Sequence, residues 1–257
     1  MPALLSTAVC CASAPVRVMS QHVPRRLAVA TTLAGAAQAA PLLTAVPGLR
    51  ALWPTLAGKG RRGGVALTFD DGPDLASTPM FLDLLAAADV RATFFLLGEM
   101  IERSPDLPRR MVDEGHELAV HSWDHRNHLR LLPGARTAAQ LERTSELIER
   151  RTGVRPRFFR PPYGALTSAA ALAAKTTGLQ PVLWTAWGKD WTAKATPESV
   201  FRNVTSTLDS GGTVLLHDSD CTSAPGAWRS ALGALPALLN WCSERDLEVG
   251  PLGVHEL

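Results

Sequence analysis

Val65-Ala66-Leu67-Thr68-Phe69-Asp70-Asp71-Gly72-Pro73 is an apolar run that ends in two carboxylates and a turn. Residues 65–69 have the length and β-branched content of a buried strand. Gly72-Pro73 forces the chain to change direction. Thr78-Pro79 then reads as N-cap and first helical residue, with Phe81, Leu84, Leu85 and Ala88 on one face. Strand, polar tip, turn and amphipathic helix form one unit.

The unit recurs along the chain. Residues 92–97 are a second strand, and Ser104-Pro105 opens a second helix ending near Gly115. Residues 117–120 are a third strand. Thr137-Ala138-Ala139-Gln140 has the form of a capping box for a helix running to Gly153. Residues 157–159 make a fourth strand, followed by a helix over 168–177, and residues 181–184 a fifth. Thr196-Pro197 starts a helix with Val200, Val204 and Leu208 at four-residue spacing. Residues 213–216 are a sixth strand, 228–242 a helix, and 247–249 a seventh strand. Strands alternating with helices imply parallel βαβ units and an α/β fold. Seven units closing on themselves would give a (β/α)7 barrel; an open doubly wound sheet has the same periodicity. Polar residues capable of chemistry sit at the C-terminal ends of the first, third, fourth, fifth and sixth strands. A barrel gathers such ends on one face, whereas an open sheet would scatter several of them.

The chain has 257 residues, 46% hydrophobic and 19% charged, which supplies a core and argues against disorder. A net charge of +2 argues against a dedicated nucleic-acid binder. Four cysteines are too few for a disulfide scaffold in this length. Cys10 and Cys11 are adjacent, Cys221 and Cys242 could pair or stay free, and no CxxC suggests a cysteine-rich zinc site.

The first sixty residues differ from the rest. Arg25-Arg26 precedes an uncharged run over 27–49, and Ala37-Gln38-Ala39 has the small-x-small form of a signal-peptidase site. Residues 1–39 therefore read as an export signal, with Met19 an alternative start, which places the protein in the cell envelope or outside the cell. The alternatives are a retained membrane helix, anchoring the protein through 27–49 despite Pro41, and an apolar helix packed on the domain. Residues 40–64 read as a linker and 65–257 as one catalytic domain.

Five clusters carry the chemistry. Asp70 and Asp71 are adjacent acids that need a cation beside them; a helix cap at Asp71 would explain only one of the two. His121 and His125, at i and i+4, would share a face in one helical turn and could grip one ion. A surface pair is as common, but both follow a strand end, as the acids do, and His/His/Asp would leave positions open for water or substrate. His128 reads as ordinary surface. In Arg160-Pro161-Pro162-Tyr163-Gly164 the prolines stiffen a loop that could aim a backbone N–H, and Arg160 could fork onto a carboxylate. Asp190-Trp191 follows Trp184 and Trp187, aromatics suited to sugar faces or to the core. Leu215-Leu216-His217 ends a strand in a candidate acid or base.

These five clusters, in this order, resemble the motifs of the polysaccharide deacetylase (NodB-homology) family, carbohydrate esterase family 4. The likeness runs from Val65 to about Asp218. It implies a distorted (β/α)7 barrel, a divalent metal and removal of N-acetyl groups from amino sugars. Carried across, it makes Asp71, His121 and His125 the metal ligands and Asp70 the general base oriented by Arg160. The Tyr163 backbone N–H would face the oxyanion, and Asp190 would support His217 as general acid. Trp191 and Leu215 would wall the acetate pocket. Zn2+ is first on ligand type, with Co2+, Mn2+ or Ni2+ fitting the same set. The expected substrate is an N-acetylated glycan, peptidoglycan before chitin-type oligosaccharide. An O-acetyl xylan, a small-molecule amide, or a non-catalytic carbohydrate-binding role are the alternatives.

Overall fold

The computed structural model describes residues 52–130 and 134–257. The readings placed on residues 1–51, export signal or membrane segment, lie outside these. Among the described residues no helix is long and apolar enough to cross a membrane.

One sheet organises the described chain. Its strands are β1 (Gly64–Asp70), β2 (Thr93–Leu97), β3 (Glu117–Ser122), β4 (Phe158–Phe159), β5 (Gln180–Pro181), β6 (Ala186–Trp187), β7 (Thr213–His217) and β8 (Glu248–Gly250). Their order is β5-β4-β3-β2-β1-β7-β6, with β8 beside the start of β1, and every pairing is parallel. The two edge strands, β5 and β6, are consecutive in sequence. In a flat sheet seven strands wide they would lie roughly 29 Å apart at about 4.8 Å per strand. Residues 182–185, which join them, can reach no more than about 18 Å. The sheet must therefore curl, and it forms a distorted (β/α)7 barrel whose seam is the 182–185 segment. The backbone groups of the seam are used: Val182 N–H donates to Phe159, Leu183 N–H to Leu56 and Thr185 N–H to Thr213.

Alternation along each strand sorts the side chains into two sets. Val65, Leu67 and Phe69 of β1, Phe94 and Leu96 of β2, Leu118 and Val120 of β3, Phe159 of β4, and Val214 and Leu216 of β7 join the core shared with the helices. The Phe69 ring stacks on Phe94 at 5.0 Å and meets Phe81 edge-on at 5.2 Å. The alternate residues face the barrel interior, where Ala66, Phe95, Ala119 and Phe158 form a second, smaller cluster. Two residues beyond three of these, on the same inward face, come Thr68, His121 and Arg160. The period that builds the outer core thus aims the polar tips inward.

The helices are α1 (Thr78–Ala87), α2 (Gly98–Arg103), α3 (Leu107–Asp113), α4 (Ala135–Thr152), α5 (Ser168–Thr176), α6 (Pro197–Thr205) and α7 (Trp228–Ser243). Several local expectations are corrected. The helix expected to open at Ser104-Pro105 is two short helices, α2 and α3, because a helix already begins at Gly98 directly off β2. Thr137 is not an N-cap: α4 starts two residues earlier and Thr137 is buried within it. Thr78 is the first residue of α1, and its hydroxyl donates to Asp218 instead of capping the helix. Of the fifth strand expected over 181–184 only Pro181 lies in a strand, β5; residues 182–184 belong to the seam, and β6 follows it. The stretch read as a linker is partly built into the domain, since Ala57 is buried, Gly60 N–H donates to Gly211 and the Gly58 carbonyl accepts from Thr213. Thr196 does open α6, and it forms a capping box with Ser199 that was not expected.

His128, expected at the surface, is fully buried, stacked 5.9 Å from Phe159 and 3.1 Å from Ser122 Oγ. Burial lowers its pKa to about 4, and does the same to His116. Both are therefore neutral in the fold at pH values where the unfolded chain binds a proton. Their contribution to stability is intact above the ordinary value of 6.5 and is lost as pH falls toward 4. Urea denaturation between pH 7.5 and 4.5 should show wild type losing up to about 3 kcal/mol per histidine relative to the His116→Gln/His128→Gln variant. Parallel pH profiles for the two proteins would refute the assignment.

Candidate active site

Asp70 is the last residue of β1, and Asp71 follows with φ 80°. That left-handed turn is rare outside glycine, and it separates two adjacent carboxylates that would otherwise repel. Asp70 Oδ1 accepts from Arg160 Nη1 at 2.7 Å. Asp71 Oδ1 instead lies 3.5 Å from His121 Nε2 and 3.4 Å from His125 Nε2. Close packing holds the turn, since a Cβ on Gly72 would come within 2.3 Å of the Asp218 carboxylate.

Arg160 is wholly buried and uses both arms. Nη1 also donates to Thr68 Oγ1 at 2.8 Å, Nη2 to the Leu183 carbonyl at 2.8 Å and Nε to the Val182 carbonyl at 3.2 Å. The expected fork onto one carboxylate is therefore replaced by a split grip. One arm holds Asp70, while the rest of the guanidinium caps the seam, 4.0 Å over the Phe95 ring.

The two histidines do come together, with ring centroids 5.1 Å apart, but not on a helical turn. Residues 123–127 form no helix, and the chain folds back through Ser122 (φ 113°) and His125 (φ 55°). His121 Nδ1 donates to the Arg160 carbonyl at 2.8 Å, so its Nε2 lone pair is directed at Asp71. Burial first, then His125, holds the His121 pKa well below the usual value, and the ring is neutral. One donor atom each from Asp71, His121 and His125 lies within 4.8 Å of the others. Asp71 Oδ1 is buried without a hydrogen bond. A lone-pair nitrogen directed at an orphaned carboxylate oxygen, beside a second imidazole, fits a divalent cation and is costly without one.

Across the cavity, Asp190 accepts twice from His217, from its backbone N–H at 2.7 Å and from ring Nδ1 at 3.0 Å. Burial opposes a charge on the ring. Asp190, with Asp71 and Asp70 behind it, more than offsets this, and the His217 pKa is pushed up to about 10. Trp191 stands edge-on to His217 at 5.8 Å, and Tyr163 (φ 59°) edge-on to His125 at 4.6 Å. Asp70, His121, His125, Tyr163, Trp191, Leu215 and His217 all line one cavity of about 250 Å³. Asp71, Arg160 and Asp190 lie buried behind its wall.

Thr222 and Asp218 gave no sequence signal. The Thr222 hydroxyl donates to Asp71 Oδ2, which fixes the direction of the orphaned Oδ1. Asp218 accepts from Thr78, and its backbone carbonyl accepts from Ser77, tying the tip of β7 to the start of α1. Trp187 continues the aromatic wall, 5.8 Å from Trp184 and 5.2 Å from Trp191. Cys221 and Cys242 are free thiols, Cys221 pointing at the Asp71 carbonyl and Cys242 buried in α7.

Known proteins resemble this chain in sequence and in fold. The polysaccharide deacetylase family model matches residues 57–182. A chitooligosaccharide deacetylase of Bradyrhizobium sp. is 34% identical over 198 residues, covering 73% of this chain and 88% of that protein. A peptidoglycan-N-acetylglucosamine deacetylase of Bacillus cereus is 37% identical over 155 residues, covering 60% of this chain and 56% of that protein. The chain thus spans only about half the length of the Bacillus protein. The solved structure of the Bc1960 peptidoglycan N-acetylglucosamine deacetylase superposes with a TM-score of 0.70 at 30% identity, covering 77% of this chain and 90% of that one. The chain belongs to the polysaccharide deacetylase family.

Arg160 can be tested without any substrate. Arg160→Met keeps the length of the side chain but strips donors from Asp70 and from two seam carbonyls. Equilibrium denaturation should show a loss of about 3–5 kcal/mol. A loss under about 1 kcal/mol would mean that the pair does not hold the seam.

Proposed function

We propose that this chain is a metal-dependent hydrolase that removes N-acetyl groups from amino-sugar glycans of the cell envelope, with peptidoglycan first and chitin-type oligosaccharides second. The observation that carries the reading is the meeting of three elements at one cavity. These are the Asp71–His121–His125 donor set, the Asp70–Arg160 pair and the Asp190–His217 pair. The names of the relatives support the substrate class.

An amide is a weak electrophile, and its nitrogen leaves only when protonated. A divalent ion on Asp71, His121 and His125, zinc on donor type with cobalt, manganese or nickel as alternatives, would supply a Lewis acid and lower the pKa of water. Asp70 is the general base. Arg160 occupies its Oδ1, which leaves Oδ2 on the side of His121, 3.7 Å away, to accept the proton of the attacking water. The Tyr163 backbone N–H, carried on a stiff Pro161-Pro162 turn, donates to the developing oxyanion, a contact worth about 3–4 kcal/mol. His217, kept protonated by Asp190, delivers a proton to the departing nitrogen. Trp191 and Leu215 enclose the acetyl methyl. Acetate and a free amino sugar leave.

Acetate release from N-acetylglucosamine oligomers and from peptidoglycan tests the reading. Chelator-treated protein should be inactive and regain activity with zinc. His125→Ala should lose bound metal and turnover together. Asp70→Asn should retain metal and lose about 10²–10⁴ in kcat. Absence of acetate from the zinc-loaded wild type on both glycans would overturn the proposal.

The pH profile tests the role of His217. A raised pKa keeps the acid form below the folded value and loses it as pH rises through that value, so activity falls on the alkaline side. A cation at the triad opposes the help His217 receives from Asp71 and Asp70, so the limb of the loaded enzyme should lie below 10. Asp190→Asn removes the nearest anion and should move that limb further down. An unmoved alkaline limb would remove Asp190 from the scheme.

A further inference from the structure

A second cavity, of about 710 Å³, opens beside the first and shares His125, Tyr163 and Thr222 with it. Beyond these its walls are Asp124, Arg126, Asn127 and Arg136, from the loop after β3 and the start of α4. The two cavities therefore form a continuous cleft over the Tyr163 ring, which is 67% exposed.

The two ends of this cleft differ in chemistry. The first cavity is bounded by Trp184, Trp187 and Trp191, with Trp187 against each of the other two, a surface for an uncharged sugar face. The second is cationic. Its one carboxylate, Asp124, is only 12% exposed and already committed. It accepts from Gln140 Nε2 at 2.9 Å and pairs with Arg126 Nε at 3.0 Å. The Arg126 side chain stays 71% exposed despite that pair. Arg136 is exposed and has no carboxylate within ion-pair distance among the described residues. Helix stability does not explain Arg136 either, because a cation in the first turn is the sign that the helix dipole disfavours. What remains is an uncommitted positive charge facing a cavity that joins the candidate catalytic one.

We infer that the second cavity is a subsite for the sugar next to the one being deacetylated, and that Arg136, assisted by Arg126, binds a carboxylate carried by that sugar. The substrate class is then a carboxylate-bearing glycan, such as one alternating N-acetylglucosamine with muramic acid, in preference to a neutral N-acetylglucosamine polymer. The inference rests on the deacetylase reading and narrows it. A guanidinium matches a carboxylate in shape as well as charge. At an exposed position the preference is moderate and weakens with salt.

The test uses the full, zinc-loaded chain and a tetrasaccharide of alternating N-acetylglucosamine and muramic acid. A second sample, with the muramic carboxylates converted to methyl esters, has the same size without the charge. Wild type should favour the acid over the ester at least fivefold in kcat/KM, about 1 kcal/mol, and lose this preference in 0.5 M salt. Arg136→Ala should cut the acid-to-ester ratio about fivefold. Calorimetric Kd values for the N-deacetylated acid and ester should move in the same ratio, which reads the subsite without turnover. Equal wild-type affinity for acid and ester would overturn the inference, as would an equal loss on both in Arg136→Ala. Failure to release acetate, with the Kd preference retained, would instead strike the deacetylase reading and leave the anionic subsite standing.

Discussion

A buried guanidinium is among the most costly groups to place inside a protein, and the interior of this barrel is built around one. Arg160 has given up all of its water. Asp70, the Thr68 hydroxyl, two backbone carbonyls and the face of Phe95 replace it. Burial lowers its pKa from the ordinary value, and Asp70 acts against that loss. A well-packed apolar pair could be as stable or more so. What an apolar pair could not do is tie β4, β1 and the seam to one point while giving the Asp70 carboxylate a donor that fixes its direction. The seam carbonyls of Val182 and Leu183 would otherwise face the interior without donors. Closure of the sheet and the orientation of Asp70 therefore depend on the same side chain.

The legible part of the fold follows from periodicity. Leu67 and Phe69 mark the outer core, so Thr68 and Asp70 must point inward. The same parity sends Phe158 and Arg160 inward at β4, and Leu215 and His217 at β7. A chain that repeats this at successive strand tips converges on one mouth once the sheet curls, and those residues were readable from their positions alone. Features decided by contacts distant in sequence were not. The break between β5 and β6 comes from curling the sheet, and residues 181–184 look like any buried strand. His128 sits in a polar stretch, yet a Ser122 hydroxyl and the Phe159 ring hold it inside. Thr222 lies in a loop without periodicity, and only the fold brings its hydroxyl to Asp71.

The spacing of His121 and His125 is instructive because it pointed to the right neighbours for the wrong reason. A helical turn would bring i and i+4 together at no conformational cost. Here Ser122 and His125 take positive φ, as do Asp71 and Tyr163 on the facing tips. A non-glycine residue in that region gives up roughly 1–2 kcal/mol, and the fold holds four of them around one cavity. Such strain persists only where the surroundings over-determine it. At Asp71 they do so through Thr222 on the carboxylate and Asp218 packed against Gly72; at Tyr163, through two prolines. A parallel strand turns only every second side chain inward, whereas the site uses adjacent residues, Asp70 and Asp71, at one cavity. At β1 and β3 the chain turns sharply at the strand end itself, through Asp71 and Ser122, and a relaxed backbone does not turn that fast. On this argument the strain is the cost of placing chemistry at strand tips, and the stability that tolerates it comes from the outer core, where the Phe69, Phe81 and Phe94 rings lock β1, α1 and β2 together.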